Sequence, residues 1–256
     1  MSRRRRLYIF DLDGTAIKSE VDALPSTALI NVVHKFHRYA YLSAATGRSW
    51  VHAKNTIEAL RLKTPCIISG GTQIIDPHSE KIIWSRDIAP DAIFNILDVA
   101  SRFDKQVAYV NDLFTSDQKA ASDFEDLSSA NTMYVFGIKK DELEEVVRRI
   151  NAHTETRAVA TRSWSDSDVI DLHITNKNAT KGKAVNALLK SLSVEEDETV
   201  AIGDGLNDID LFSAVGSKIA MGNAEDELKV HSDKVIGSIF EDGLAQYFSK
   251  EVGGYE

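Results

Sequence analysis

Two carboxylates one residue apart, Asp11 and Asp13 in YIFDLDGTAI, are the first residues of this chain that could do chemistry. The apolar and aromatic run before them reads as a buried strand. Side chains at i and i+2 of an extended segment point the same way, so two like charges would face one small volume. A second acidic run, Asp204-Gly205-Leu206-Asn207-Asp208, follows the apolar stretch TVAIG far along the chain. If Asp204 arrives beside Asp11 and Asp13, carboxylates converge, and a hard divalent cation resolves their repulsion. Mg²⁺ prefers oxygen ligands in an octahedron and keeps several waters. Neither acidic run has the calcium-loop pattern of Gly at the sixth and Glu at the twelfth position, and there is no HExxH. His34 and His37 share a helix with nothing metal-like nearby, and read as surface or partly packed residues.

The elements that must position these residues follow a rhythm at both ends of the chain. Short apolar runs (LYIF, AYLSAA, CIIS, TVAIG, SKIAM, KVI) alternate with segments of helical period. PSTALINVVHKFHRY aligns Leu29, Val32, Val33 and Phe36 on one helix face, and TKGKAVNALLKSL aligns Val185, Leu188, Leu189 and Leu192. Continuous apolar strands between such helices predict an α/β fold with a doubly wound parallel sheet covered on both faces. Ligands of open parallel sheets bind at the carboxyl ends of the strands. There LYIF delivers Asp11–Thr15, AYLSAA delivers Thr46-Gly47-Arg48, CIIS delivers Gly70-Gly71-Thr72, and TVAIG delivers Asp204–Asp208.

The middle of the chain reads differently. KIIWS, a helix in DAIFNILDVASRF, QVAYV, TMYVFGI, a helix in DELEEVVRRI, and the paired strands RAVATRS and VIDLHIT suggest an α+β block with antiparallel character. Leu143, Val146, Val147 and Ile150 align on the second helix, and SWSDSD reads as a hairpin turn. The expected organisation is a core of residues 1–77 and 178–256, with residues 78–177 inserted.

Composition bounds the partners. A chain of 256 residues with 43% hydrophobic and 27% charged residues is ordinary for a globular protein, and the net charge of −9 argues against general nucleic-acid or membrane-surface binding. Cys66, the single cysteine, lies in an apolar run and reads as a buried, inert thiol. The head MSRRRR precedes only LYIF, too short for a signal-peptide apolar region, and reads as a solvated basic tail. No apolar run approaches ~20 residues, so a cytoplasmic protein without a membrane span is expected.

DLDGTAI, the Thr46-Gly47-Arg48 step, Lys181 in ATKGKAVNALL and GDGLNDIDLF resemble, in order, the four motifs of the haloacid dehalogenase superfamily. The tail AMGNAEDELKVHSDKVIGSIFEDGLAQYF looks like its Cof-type phosphatase branch, whose members carry an α/β cap between the second and third motifs. The resemblance implies a Rossmann-like core with a C2-type cap. It implies that Asp11 is a nucleophile forming an aspartyl-phosphate, and that Asp13 is the general acid, then the general base. Mg²⁺ would be held by the Asp11 side chain, the Asp13 carbonyl and Asp204, with Asp208 as a further ligand or a support. Thr46 and the Gly47 N–H would bind phosphate oxygens, Lys181 would bring charge to Asp11 and the phosphate, and Gly14 and Thr15 would offer backbone N–H groups. Asn207 would reach the phosphate or orient Asp208. Arg48, Trp84, Arg86, Trp164 and His173 are candidates for the substrate pocket or its rim, and for each of them packing or solvated charge is the simpler reading.

The expected activity is Mg²⁺-dependent hydrolysis of a small phosphomonoester, such as a sugar phosphate, by a monomer or weak homo-oligomer. A sugar phosphomutase is the enzymatic alternative; GDGLND looks more like the phosphatase version. A non-catalytic phosphoacceptor or metabolite-binding regulator is the other, although receiver domains carry their acceptor Asp later in the chain and have no cap.

Overall fold

Strand β1 (Leu7–Phe10) is buried along its whole length in the computed structural model. The structure describes residues 5–20, 22–111, 114–124, 126–163 and 168–256. It divides into two units, Met1–Trp84 with Thr180–Glu256, and Ser85–Ala179.

The first unit continues through α1 (Thr27–Phe36), β2 (Tyr41–Ala44), α2 (Trp50–Ala59), β3 (Cys66–Ile68), β4 (Gln73–Asp76) and β5 (Lys81–Ser85). It resumes with α5 (Lys181–Leu192), β12 (Thr199–Gly203), α6 (Asp208–Phe212), β13 (Ser217–Ala220), α7 (Asp226–Val230), β14 (Lys234–Val235) and α8 (Gly243–Gly253). Its main sheet is parallel in the order β14-β13-β12-β1-β2. Phe10 lies opposite both Ala44 and Ile202, so β1, β2 and β12 end level with one another. That register brings Asp11, Thr46 and Asp204 out along one rim.

Alternation assigns the two faces of β1. Tyr8 and Phe10 point to a ring cluster with Phe36 of α1 and Phe248 of α8, where Tyr8 and Phe36 have centroids 4.9 Å apart. Leu7 and Ile9 point the other way and are equally buried, so the sheet is covered on both faces. The expected stripe of α1 is buried in full, and Ser26 caps that helix by accepting from the Leu29 N–H. His34 and His37 bond through Nε2 to the carbonyls of Ala59 and Leu60 at the end of α2. They are packing residues, as their setting suggested. Cys66 is fully buried, and burial pushes its thiol up to about 12.

Two strands depart from their expected places. CIIS gives only Cys66–Ile68, joined to the main sheet by one parallel bridge between Ala45 and Ile67. Ser69, Gly70 and Gly71 then adopt positive φ and end the strand. KIIWS, placed with the inserted block by its sequence, forms β5 in a three-stranded sheet of order β3-β4-β5, in which β3 and β4 run antiparallel.

The second unit contains α3 (Pro90–Arg102), β6 (Gln106–Asn111), the short β7 (Phe114–Thr115) and β8 (Lys119–Ala120), β9 (Thr132–Lys139), α4 (Leu143–Asn151), β10 (Thr156–Arg162) and β11 (Val169–Asn176). Its antiparallel sheet runs β10-β11-β9-β6-β7, with β8 also paired to β6. One face packs on α3 and α4, with Ile93, Ile96, Val146 and Ile150 against Met133, Val135, Leu172 and Ile174. Tyr134, Phe136 and His173 alternate to the other face; the Tyr134 and His173 rings stack at 5.2 Å. The turn expected in SWSDSD falls mostly on residues 164–167, outside the described residues.

Candidate active site

Asp11 is the first residue past β1, and its N–H still bonds to the Ile202 carbonyl of β12 at 3.0 Å. The carboxylate is buried. Its partner is Lys181, the first residue of α5, whose Nζ donates to Asp11 Oδ1 at 2.8 Å and to Asp208 Oδ1 at 2.7 Å. Thr180 caps α5 by accepting from the Lys183 N–H. The start of the helix therefore has a fixed place, and Lys181 is carried inward rather than out to solvent. Gly71 makes this approach possible: its φ is +98°, and a Cβ there would overlap the backbone of Thr180 and Lys181.

Three carboxylates gather at this point. One oxygen from each of Asp11, Asp204 and Asp208 lies within 4.8 Å of the others. Asp208 is heavily engaged, because its Oδ2 accepts from the N–H groups of Asp204 (3.0 Å) and Gly205 (3.1 Å) while Oδ1 accepts from Lys181. It braces the loop and the lysine. Asp204 accepts from the Thr15 hydroxyl at 2.8 Å. The glycine at position 14 is required here, since its φ is +77° and a Cβ would overlap the Asp204 carboxylate.

The electrostatics record a shortage of positive charge. Burial pushes Asp11 up to about 8, against the pull of Lys181 and with the push of Asp208. Burial likewise raises Asp204 to about 6, against the Thr15 hydroxyl bond. Burial disfavours the Lys181 charge, but Asp11 and Asp208 outweigh it and hold the ammonium above the ordinary lysine range. An all-oxygen cluster in which Asp11 and Asp204 resist ionisation fits a hard divalent cation, which would supply the missing charge.

Asp13 stands apart from that cluster. Its side chain accepts from Arg48 instead, Nε to Oδ2 at 2.9 Å and Nη2 to Oδ1 at 2.6 Å. Asp11 and Asp13 have thus been given different cations, a buried ammonium and a guanidinium.

Thr46 is fully buried and held by its backbone, donating to Ile67 and accepting from Gly70, while its hydroxyl accepts from the Arg48 N–H. The expectation that Gly14 and Thr15 offer N–H groups to an anion is not met. Gly14 N–H bonds to the Ile17 carbonyl at 2.8 Å and Thr15 N–H to the Leu12 carbonyl at 3.2 Å, because the turn closes on itself. Among the described residues, the N–H groups of Leu12, Asp13 and Gly47 donate to no protein acceptor. Asn207 is exposed just before α6. Trp84 is half-buried in β5, Arg86 is exposed, and Trp164 lies outside the described residues. Asn223 was not anticipated as a site residue. Its Nδ2 donates to the Gly14 carbonyl at 2.9 Å and its Oδ1 accepts from the Ile239 N–H at 2.8 Å, pinning the Gly14 turn. The only sequence signal was its place in the AMGNAEDELK stretch.

A family model described as haloacid dehalogenase-like hydrolase matches residues 8–129 and 109–248. The pyridoxal phosphate phosphatase YbhA of Escherichia coli is 26% identical over 94% of this chain and 97% of its own length. The 5-amino-6-(5-phospho-D-ribitylamino)uracil phosphatase YcsE of Bacillus subtilis is 23% identical, covering 94% and 93%. Among solved structures, BT1666 from Bacteroides thetaiotaomicron, from a study of haloalkanoate-superfamily phosphatases, superposes with a TM-score of 0.79 at 19% identity over 98% and 96% of the two chains. That likeness concerns the fold. No helix among the described residues is long and apolar enough to cross a membrane.

Proposed function

We propose that this chain, which belongs to the haloacid dehalogenase-like hydrolases, is a Mg²⁺-dependent phosphatase of a small phosphorylated metabolite, working through an aspartyl-phosphate on Asp11. The observation that carries the proposal is the buried Asp11–Lys181–Asp208 bridge beside Asp204. It places a carboxylate with a cation at the rim of the sheet, in a cluster suited to a divalent metal.

The roles follow from the chemistry of each group. A carboxylate oxygen of Asp11 attacks phosphorus and the ester P–O bond breaks. The departing oxygen takes a proton from Asp13, leaving as an alcohol. A water then gives a proton to Asp13 while its oxygen attacks phosphorus, the Asp11 O–P bond breaks, and inorganic phosphate leaves with Asp11 restored. Lys181 favours the ionised form of Asp11 against burial, and the divalent cation would supply the rest of the positive charge that form needs. The N–H groups of Leu12, Asp13 and Gly47 and the hydroxyl of Thr46 are assigned to the phosphate oxygens, in place of Gly14 and Thr15. The Asp11 carboxylate, the Asp13 carbonyl and Asp204 would hold Mg²⁺, which supplies neutralisation of phosphate charge; Asp208 is assigned to support.

The substrate is taken to be a small monoester carrying a sugar or ring. The names of the relatives, a pyridoxal phosphate phosphatase and a phosphoribitylaminouracil phosphatase, support that class. Selection of the organic group is assigned to the unit Ser85–Ala179.

The test is steady-state phosphate release from a panel of sugar, polyol and vitamin monoesters with Mg²⁺. Turnover that vanishes with Asp11→Asn and with chelator is expected. No turnover on any ester, or turnover untouched by Asp11→Asn, would falsify the assignment.

A further inference from the structure

Arg48 is held on three sides. Its Nη2 donates to the Glu20 carbonyl at 2.7 Å as well as to Asp13, and its Nη1 donates to the His52 carbonyl at 3.3 Å. Only 12% of its side chain is exposed, against 33% for Asp13. The guanidinium is therefore an anchored part of the scaffold, and the carboxylate is the more exposed partner resting on it. A planar fork donating to both oxygens fixes the position and the plane of a carboxylate, which a single point charge does not. The bond to Asp13 also raises Arg48 above its ordinary pKa, aided by Asp13 charge and opposed by burial.

We propose that Arg48 is a positioning residue for Asp13: its fork sets where the Asp13 carboxyl stands, and so governs the proton transfer at the ester oxygen, instead of binding the substrate. The inference rests on the reading above, in which Asp13 carries that proton. It departs from the expectation that Arg48 belongs to the substrate pocket. It also accounts for the two neighbouring carboxylates having separate cations: Lys181 serves the attacking group, and Arg48 serves the group that moves the proton.

The experiment compares two esters that differ in their need for a proton. Glucose 6-phosphate expels an alkoxide and depends on an acid, whereas 4-nitrophenyl phosphate expels a stable phenolate and does not. Asp13 also serves the later attack of water, which is common to both esters, so the comparison is made on the single-turnover burst of alcohol or phenolate release, which reads the first step alone. General acid–base catalysis contributes about 10²–10⁴-fold, so Asp13→Asn should lose about that in burst rate on the sugar ester and far less on the aryl ester. Arg48→Ala should show the same imbalance in burst rate, with a loss of about tenfold or more on the sugar ester. The double variant should be no worse than Asp13→Asn. Arg48→Lys, which keeps the charge and loses the fork, should stay impaired on the sugar ester; with Arg48→Gln it carries the comparison if Arg48→Ala does not fold. Equal losses of burst rate on both esters, a loss confined to KM, or losses that multiply in the double variant would overturn the positioning role and leave the phosphatase reading intact. Activity that survives Asp11→Asn would instead overturn the reading, and this inference with it.

Discussion

Lys181 donates to Asp11 at 2.8 Å across 170 positions of sequence, with both side chains almost wholly removed from solvent. Its second bond, to Asp208, makes it the single cation of a buried trio. Taking one partner from a buried pair leaves a charge without compensation and costs about 3–5 kcal/mol. Lys181→Met should therefore lower the melting temperature in chelator by on the order of 10 °C. Added Mg²⁺ should recover part of the loss in stability while activity stays lost. A melting temperature equal to wild type in chelator would show that the bridge does not stabilise the fold.

The pH dependence should reverse with the metal. Asp11 and Asp204 are raised to about 8 and about 6, so the folded protein binds more protons than the unfolded chain between their ordinary values and these. Without metal, that contribution to stability is fully present below the ordinary value of 3.8 and is lost as pH rises, completely by about 6 for Asp204 and by about 8 for Asp11. Mg²⁺ binds the ionised carboxylates and releases protons, so the melting-temperature gain from Mg²⁺ should grow over the same range. Asp11→Asn should flatten both trends. Thermal scans with chelator and with Mg²⁺ across that range measure each.

Gly14→Ala should be far more damaging than an ordinary surface substitution. It forces a side chain to φ +77° and into the Asp204 carboxylate, and strained backbone alone costs about 1–3 kcal/mol. The prediction is weakened metal affinity with a lower melting temperature. Asn223→Ala releases the same turn from outside by removing two hydrogen bonds, each worth about 1 kcal/mol. Its effect on metal affinity should have the same sign and be smaller.

In the second unit, burial lowers His173 to about 4 from an ordinary value of 6.5. The neutral ring is the form that suits the stack on Tyr134. The stability it permits is fully present above 6.5 and is lost as pH falls toward 4. His173→Phe should keep the ring contact and remove that acid sensitivity. Far-UV circular dichroism or hydrogen exchange over β9 and β11, followed between those values, would report it.

Much of the architecture was legible from short-range pattern. The stripe of Leu29, Val32, Val33 and Phe36 and that of Val185, Leu188 and Leu189 face the interior as helices, because a period near 3.6 can be buried in only one way. The run before Asp11 is a strand for the same kind of reason. KIIWS was assigned to the wrong neighbour. Its own residues dictate an extended segment, but whether it pairs with β4 or with the inserted sheet depends on segments elsewhere in the chain.

By itself, the sequence determined the chemical inventory: carboxylates at i and i+2 after a buried strand, a second acidic loop, a lysine at a helix start, and a threonine-glycine-arginine step. Those are local facts, settled by bond geometry and periodicity. The tertiary structure alone decided who holds whom, giving Lys181 to Asp11 and Asp208, Arg48 to Asp13, Thr15 to Asp204, and Asn223 to the Gly14 turn. It also turned the N–H groups of Gly14 and Thr15 inward. The reason is physical: a hydrogen bond is made within about 3 Å, and only the level register of β1, β2 and β12 brings side chains so distant in sequence to that range.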